Sequence, residues 1–165
     1  MEKLPKIELK LTKLEMFLEI MGYLLLVALW IFVIYSYTSL PDQIPIHFNG
    51  VGKVDDYHTK RSIFILPIIG TFLFVLVTYT AATPEDETYK VNITEQNMES
   101  HYRNFMNTFR MKKIVVATLF LMISYKTSEV AHAQSNELGV PFLIVCAAIV
   151  ILPLVYFTYK SYTLK

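Results

Sequence analysis

The sequence predicts an all-α membrane protein, a four-helix transmembrane bundle with a small ordered extracytoplasmic loop between helices 1 and 2. Three observations lead there. Hydrophobic residues make up 54% of the 165 positions, and the mean hydropathy is +0.42. These residues come in blocks: 20–38, 62–83 and 138–159 carry no charge at all. Crossing about 30 Å of hydrocarbon at about 1.5 Å per residue takes about 20 residues, and each block reaches that length. Finally, lysines and arginines are sided. With four spans, 11 fall on the side of the termini and the middle loop, and 4 fall on the other (Lys53, Lys60, Arg61 and Lys126). The positive-inside rule then places both termini in the cytoplasm.

The chain reads as a single membrane domain, 1–165. Helix 1 is expected over about 16–38. A mixed-charge segment precedes it and no Ala-x-Ala site follows it, so it reads as a retained anchor, not a cleaved signal. Tyr35 and Tyr37 near its far end suit the headgroup level, and Pro41 and Pro45 prevent its continuation. The outer loop follows over 39–61. Helix 2 covers about 62–82, with Pro67 in its first turns, where amides lack intrahelical partners. Glu85, Asp86 and Glu87 follow it.

An amphipathic cytoplasmic helix is expected over about 94–111, with Thr94 as its N-cap. Met98, Tyr102, Phe105, Met106 and Phe109 form its apolar stripe, and Arg103, Arg110, Lys112 and Lys113 lie off it. The third span, about 112–130, is the short one. Only 12 uncharged residues separate Lys113 from Lys126. It spans if both lysines snorkel to the interfaces; the alternative is a re-entrant or interfacial segment. Helix 4 covers about 139–159, kinked at Pro153.

The outer loop is the most patterned part of the chain. Ile44, Ile46 and Phe48 alternate with polar residues as in a short strand, and Asn49-Gly50-Val51-Gly52 is a turn signal. A tight hairpin resting on the membrane surface is the expected structure. The run Leu40-Pro41-Asp42-x-Ile44-Pro45-x-His47-Phe48-Asn49-x-x-Gly52-x-x-Asp55, followed by Lys60, resembles the signature of the domain of unknown function 1648 family. Thr94-Glu95-Gln96-Asn97 with Tyr102 downstream is similar to that family's segment before its third helix. The resemblance spans about residues 15–110. It implies a bacterial cytoplasmic (inner) membrane protein. It also implies kinship with SdpI-type immunity proteins, which protect a cell from a secreted toxic peptide and relay signals to a repressor.

Candidate binding residues are therefore Asp42, His47, Asn49, Gly52, Asp55 and Lys60. The bland reading gives them turn, capping and pairing roles: His47 and Asn49 on turn backbone, Asp55 capping helix 2 or pairing with Lys60. His47, Asp55, Asp56 and His58 match no metal motif, and neither metal nor cofactor is expected. Glu15 and Glu19 sit one turn apart and are expected to be solvated at the cytoplasmic margin; His101 and His132 are also expected to be solvated. No catalytic motif is present, so no enzyme activity is expected. A net charge of +1 gives no basic field for nucleic acid. Expected partners are the lipid bilayer and a secreted peptide or another membrane protein. The function read from this is ligand recognition through the outer loop, as an immunity or signal-receptor protein. The alternative is a small transporter or an accessory subunit of a transport complex.

Overall fold

A computed structural model describes residues 4–84, 89, 91–132 and 137–164. Lys3, Lys90, Lys165 and the acidic run Glu85, Asp86 and Glu87 lie outside the described residues. The fold is all-α with one small hairpin, and four of its helices are long and apolar enough to cross a membrane.

Helix α1, Lys13–Tyr37, opens on a capping box: Thr12 Oγ1 accepts from Glu15 N–H, and the Glu15 carboxylate accepts from Thr12 N–H. Two of the orphan amides at this end are thereby satisfied. After Pro41 come strands β1, Gln43–Phe48, and β2, Val54–Thr59, paired antiparallel. A 3-10 turn, Lys60–Phe64, feeds helix α2, Ile65–Thr80, with Pro67 in its first turn. Helix α3, Met98–Ala131, is 34 residues long, and helix α4 is Val140–Thr163.

From Met98 on, the expected surface helix and the expected third span thus form one unbroken helix, while 94–97 is a turn before it. Lys112 and Lys113 read in sequence as the border between a surface helix and a span, but neither interrupts the backbone. Lys113 turns inward and is 2% exposed, while Lys112 lies over the Phe109 ring at 4.0 Å. Lys126 pairs with Glu129 at 2.9 Å, and the helix runs on past both. Thr94 does not cap it. Asn97 Oδ1 instead accepts from Thr94 N–H at 2.8 Å, closing a turn just before Met98.

Helix α3 is the centre of the bundle and packs on α1, α2, α4 and β1. Close approach rests on glycine. A Cβ on Gly70 would stand 3.1 Å from Phe120 and 3.3 Å from Leu29, closer than ordinary contact, so the hydrogen there lets α2 approach α3 and α1 without displacing those side chains. Trp30 Nε1 donates to Thr71 Oγ1 at 3.0 Å, joining α1 to α2. Helix α4 packs chiefly on α3, and only its Phe157 is buried, which leaves most of its apolar surface for lipid. The core cluster of Leu29, Val33, Leu40, Ile44 and Ile63 lies at the hairpin end, where β1 packs on α3.

Candidate functional site

The hairpin is built by two departures from ideal pairing. Pro45 pairs with Tyr57 and His47 with Asp56, so Ile46 is an extra residue on β1. His47–Asp56 is followed by Phe48–Val54, so Asp55 is extra on β2. Bulges of this kind break strict alternation and re-aim side chains. Ile44 and Pro45 are therefore buried side by side, while Ile46 is left 43% exposed. The alternating pattern read from the sequence does not carry through the bulge.

The six candidate binding residues fall into three neighbouring pairs and do not converge on one pocket. Asp42 and Lys60 close the base: Lys60 N–H donates to the Asp42 carbonyl at 2.9 Å, and the side chains pair at 3.3 Å. His47 Nδ1 and Asp55 Oδ1 meet at 2.5 Å across the bulges. Asn49 and Gly52 form the turn. Asn49 Oδ1 accepts from Val51 and Lys53 N–H, and Gly52, at φ +82°, donates its N–H to the Asn49 carbonyl. Asp55 therefore pairs with His47, neither capping α2 nor reaching Lys60. His58 Nδ1 contacts Ser62 Oγ at 2.8 Å. Among the described residues, no three His, Cys, Asp or Glu side chains group together.

The hairpin is also held from outside. Leu138 N–H donates to the Gly52 carbonyl at 2.8 Å, and Lys53 bridges to Glu137. These bonds pin the tip to the start of α4. His132, at the end of α3, contacts the Ser39 carbonyl at 3.0 Å. Next to these contacts a cleft of about 680 Å³ opens between α1, α3 and α4. Phe32, Leu121, Tyr125, Leu138 and Phe142 line it, and the Lys126–Glu129 pair lies on its wall.

A second polar feature, at the opposite end, was hidden in the sequence. Glu15 and Glu19 are not simply solvated. Glu15 is 3% exposed and accepts from Arg103 at 3.0 Å and from Asn107 at 3.4 Å. Glu19 pairs with Arg110 at 3.4 Å and with Lys113. The Lys113 ammonium also lies 5.3 Å from the Tyr23 ring centre and 5.5 Å from that of Phe74. The result is a ladder of charges between α1 and α3. Its sequence signal was present: Glu15 and Glu19 are four apart, and 103, 107, 110 and 113 share one face of α3. Ionisable groups inside membrane helices face the bundle interior and pair, as these do. His101, also expected to be solvated, is 1% exposed, because the end of α4 and Tyr89 cover it.

A protein of Archaeoglobus fulgidus, described as an uncharacterized protein, is 25% identical to this chain over 148 residues, covering 81% of this chain and 80% of its own length. No solved structure matches the chain. Residues 24–71, from within α1 through the hairpin and into α2, match the model of the family described as domain of unknown function (DUF1648).

Proposed function

We propose that this multi-pass membrane protein acts by binding rather than catalysis, recognising a peptide or small ligand at its hairpin end. One observation carries the reading. The Gly52–Leu138 hydrogen bond fastens a preformed hairpin to a wall of the 680 Å³ cleft, so a display surface and an apolar recess are held side by side. On the hairpin, Ile46, Val51 and Tyr57 are exposed, and so is the Asp42 carboxylate. A peptide could lie along these side chains and insert one apolar residue into the cleft, and a rigid mount lowers the ordering cost of such binding. In this reading Asp42, His47, Asn49, Gly52, Asp55 and Lys60 shape and orient the surface. An immunity or signal-receptor role follows in a bacterial inner membrane with cytoplasmic termini, the orientation resting on the charge asymmetry. The test is a deletion strain challenged with secreted peptide toxins. Higher sensitivity than the parent, restored by the wild-type gene and not by Tyr57→Ala with Ile46→Asp, supports the reading. Sensitivity equal to the parent's overturns it.

A second reading is a small transporter or a transporter's accessory subunit. Its support is the Glu19–Arg110–Lys113 cluster between α1 and α3, since ionised side chains within spans often mark ion pathways. Glu19→Gln with an unchanged transport phenotype would remove its main candidate.

A further inference from the structure

At the end of the bundle that holds both termini, a groove of about 310 Å³ runs between the first turns of α3 and the last turns of α4. His101, Asn104, Thr108 and Lys112 line it, spaced three, four and four residues apart on one face of α3. Two of these side chains are buried with unused hydrogen-bonding atoms. Asn104 is 5% exposed, and its Nδ2 donates to the Phe157 carbonyl at 3.3 Å. That carbonyl settles the amide orientation, because a flipped amide would set oxygen against oxygen. Asn104 Oδ1 is then left with no donor among the described residues. Both ring nitrogens of His101 also lack a partner there; the Leu164 backbone lies close enough to influence the ring but makes no hydrogen bond of normal geometry. Buried polar atoms are rarely left unpaired, so the groove asks for a ligand that donates to Asn104 Oδ1 and both donates and accepts at the His101 ring, as hydroxyl groups do.

The groove has a continuation. Farther into the bundle, a cavity of about 220 Å³ lies among α2, α3 and α4, lined chiefly by Val77, Val115, Val150 and Leu154. Thr108, Lys112 and Phe157 line both spaces, so the two adjoin along the Lys112 side chain, whose ammonium lies over the Phe109 ring on the groove side. A polar compartment, a cation at its border and an apolar compartment follow one another toward the bilayer centre. Tyr156, Tyr159, Lys160 and Tyr162 on the last turns of α4 place that border at headgroup depth.

We propose that these joined cavities bind a phospholipid whose headgroup is both anionic and a hydrogen-bond donor. Its phosphate sits at Lys112, its headgroup hydroxyls face Asn104 and His101, and one acyl chain enters between α2 and α4. Lys112 and Asn104 are eight residues apart, about 12 Å along the helix. The lysine side chain and an extended glycerol headgroup together bridge that distance. The site is independent of the hairpin and of any ligand bound there.

The test uses the full chain in detergent and native mass spectrometry. Dioleoyl phosphatidylglycerol, dioleoyl phosphatidylcholine and inorganic phosphate are each titrated. Phosphatidylglycerol should be retained one-to-one and preferred over phosphatidylcholine by about fivefold, what one interfacial cation contributes. Lys112→Gln should reduce the preference, and Val150→Trp, which fills the apolar cavity, should weaken retention with Lys112 in place. Equal retention of the two lipids overturns the proposal, as does an unchanged preference in Lys112→Gln. Displacement of phosphatidylglycerol by millimolar inorganic phosphate would identify a free-anion site and overturn it too. The wild-type comparison stands even if either variant fails to fold.

Discussion

The ammonium of Lys113 meets the carboxylate of Glu19 in the contact between α1 and α3, facing the packed rings of Tyr23 and Phe74. Removing one partner leaves the other charge in an apolar crossing. Glu19→Gln should destabilise the protein by about 3–5 kcal/mol, the usual cost of orphaning a buried ion. Replacing both, as Glu19→Gln with Lys113→Met, should recover part of the loss. Thermal unfolding in detergent checks both, and a double variant no more stable than the single one would show that the pair is not coupled.

The exposed pair at the hairpin base should behave differently. The Asp42 side chain is 94% exposed, and surface ion pairs contribute about 0–1 kcal/mol. Asp42→Asn should therefore leave the melting temperature nearly unchanged. Ile44→Ala, which empties a site 1% exposed, should cost about 2–5 kcal/mol. Its hairpin amides should exchange faster than those of α2 under matched conditions.

Gly52 sits at φ +82°, in the left-handed region. Space is not the limit, since a Cβ there would stand 3.5 Å from Leu138 and Leu143. Gly52→Ala should cost about 1–2 kcal/mol through backbone strain alone. Faster exchange of the Leu138 amide, whose acceptor is the Gly52 carbonyl, would report loosening of the hairpin tip.

At Gly70 the limit is space. A methyl 3.1 Å from Phe120 and 3.3 Å from Leu29 requires those side chains to give way in a packed crossing. Gly70→Ala should lower stability by about 1–3 kcal/mol, the typical cost of overpacking. A melting temperature equal to the wild type's would mean that the crossing is looser than the distances indicate.

Topology is open to direct labelling. With Cys146 replaced, single cysteines at Val51 and Glu95 occupy the hairpin turn and the loop before α3, both exposed. Val51→Cys should react with an impermeant reagent added outside cells, and Glu95→Cys should not. The reverse pattern would invert the orientation read from the charges.

The sequence alone determined the membrane class, the number of helices of spanning length and the existence of an ordered loop. Hydrophobic blocks of spanning length, prolines and an Asn-Gly turn act locally, and local physics is legible along a chain. What it could not determine was which way charged and polar side chains turn. Lys113 reads as a helix-end lysine until α1 brings Glu19 to it. His101 reads as solvated until α4 covers it. Ile46 reads as inward until a bulge turns it out. The tertiary structure also joined Gly52 to Leu138, 86 positions apart, and so set the hairpin beside the cleft. Those outcomes depend on which helix faces meet, a choice made between segments far apart in the chain, where no local pattern records it.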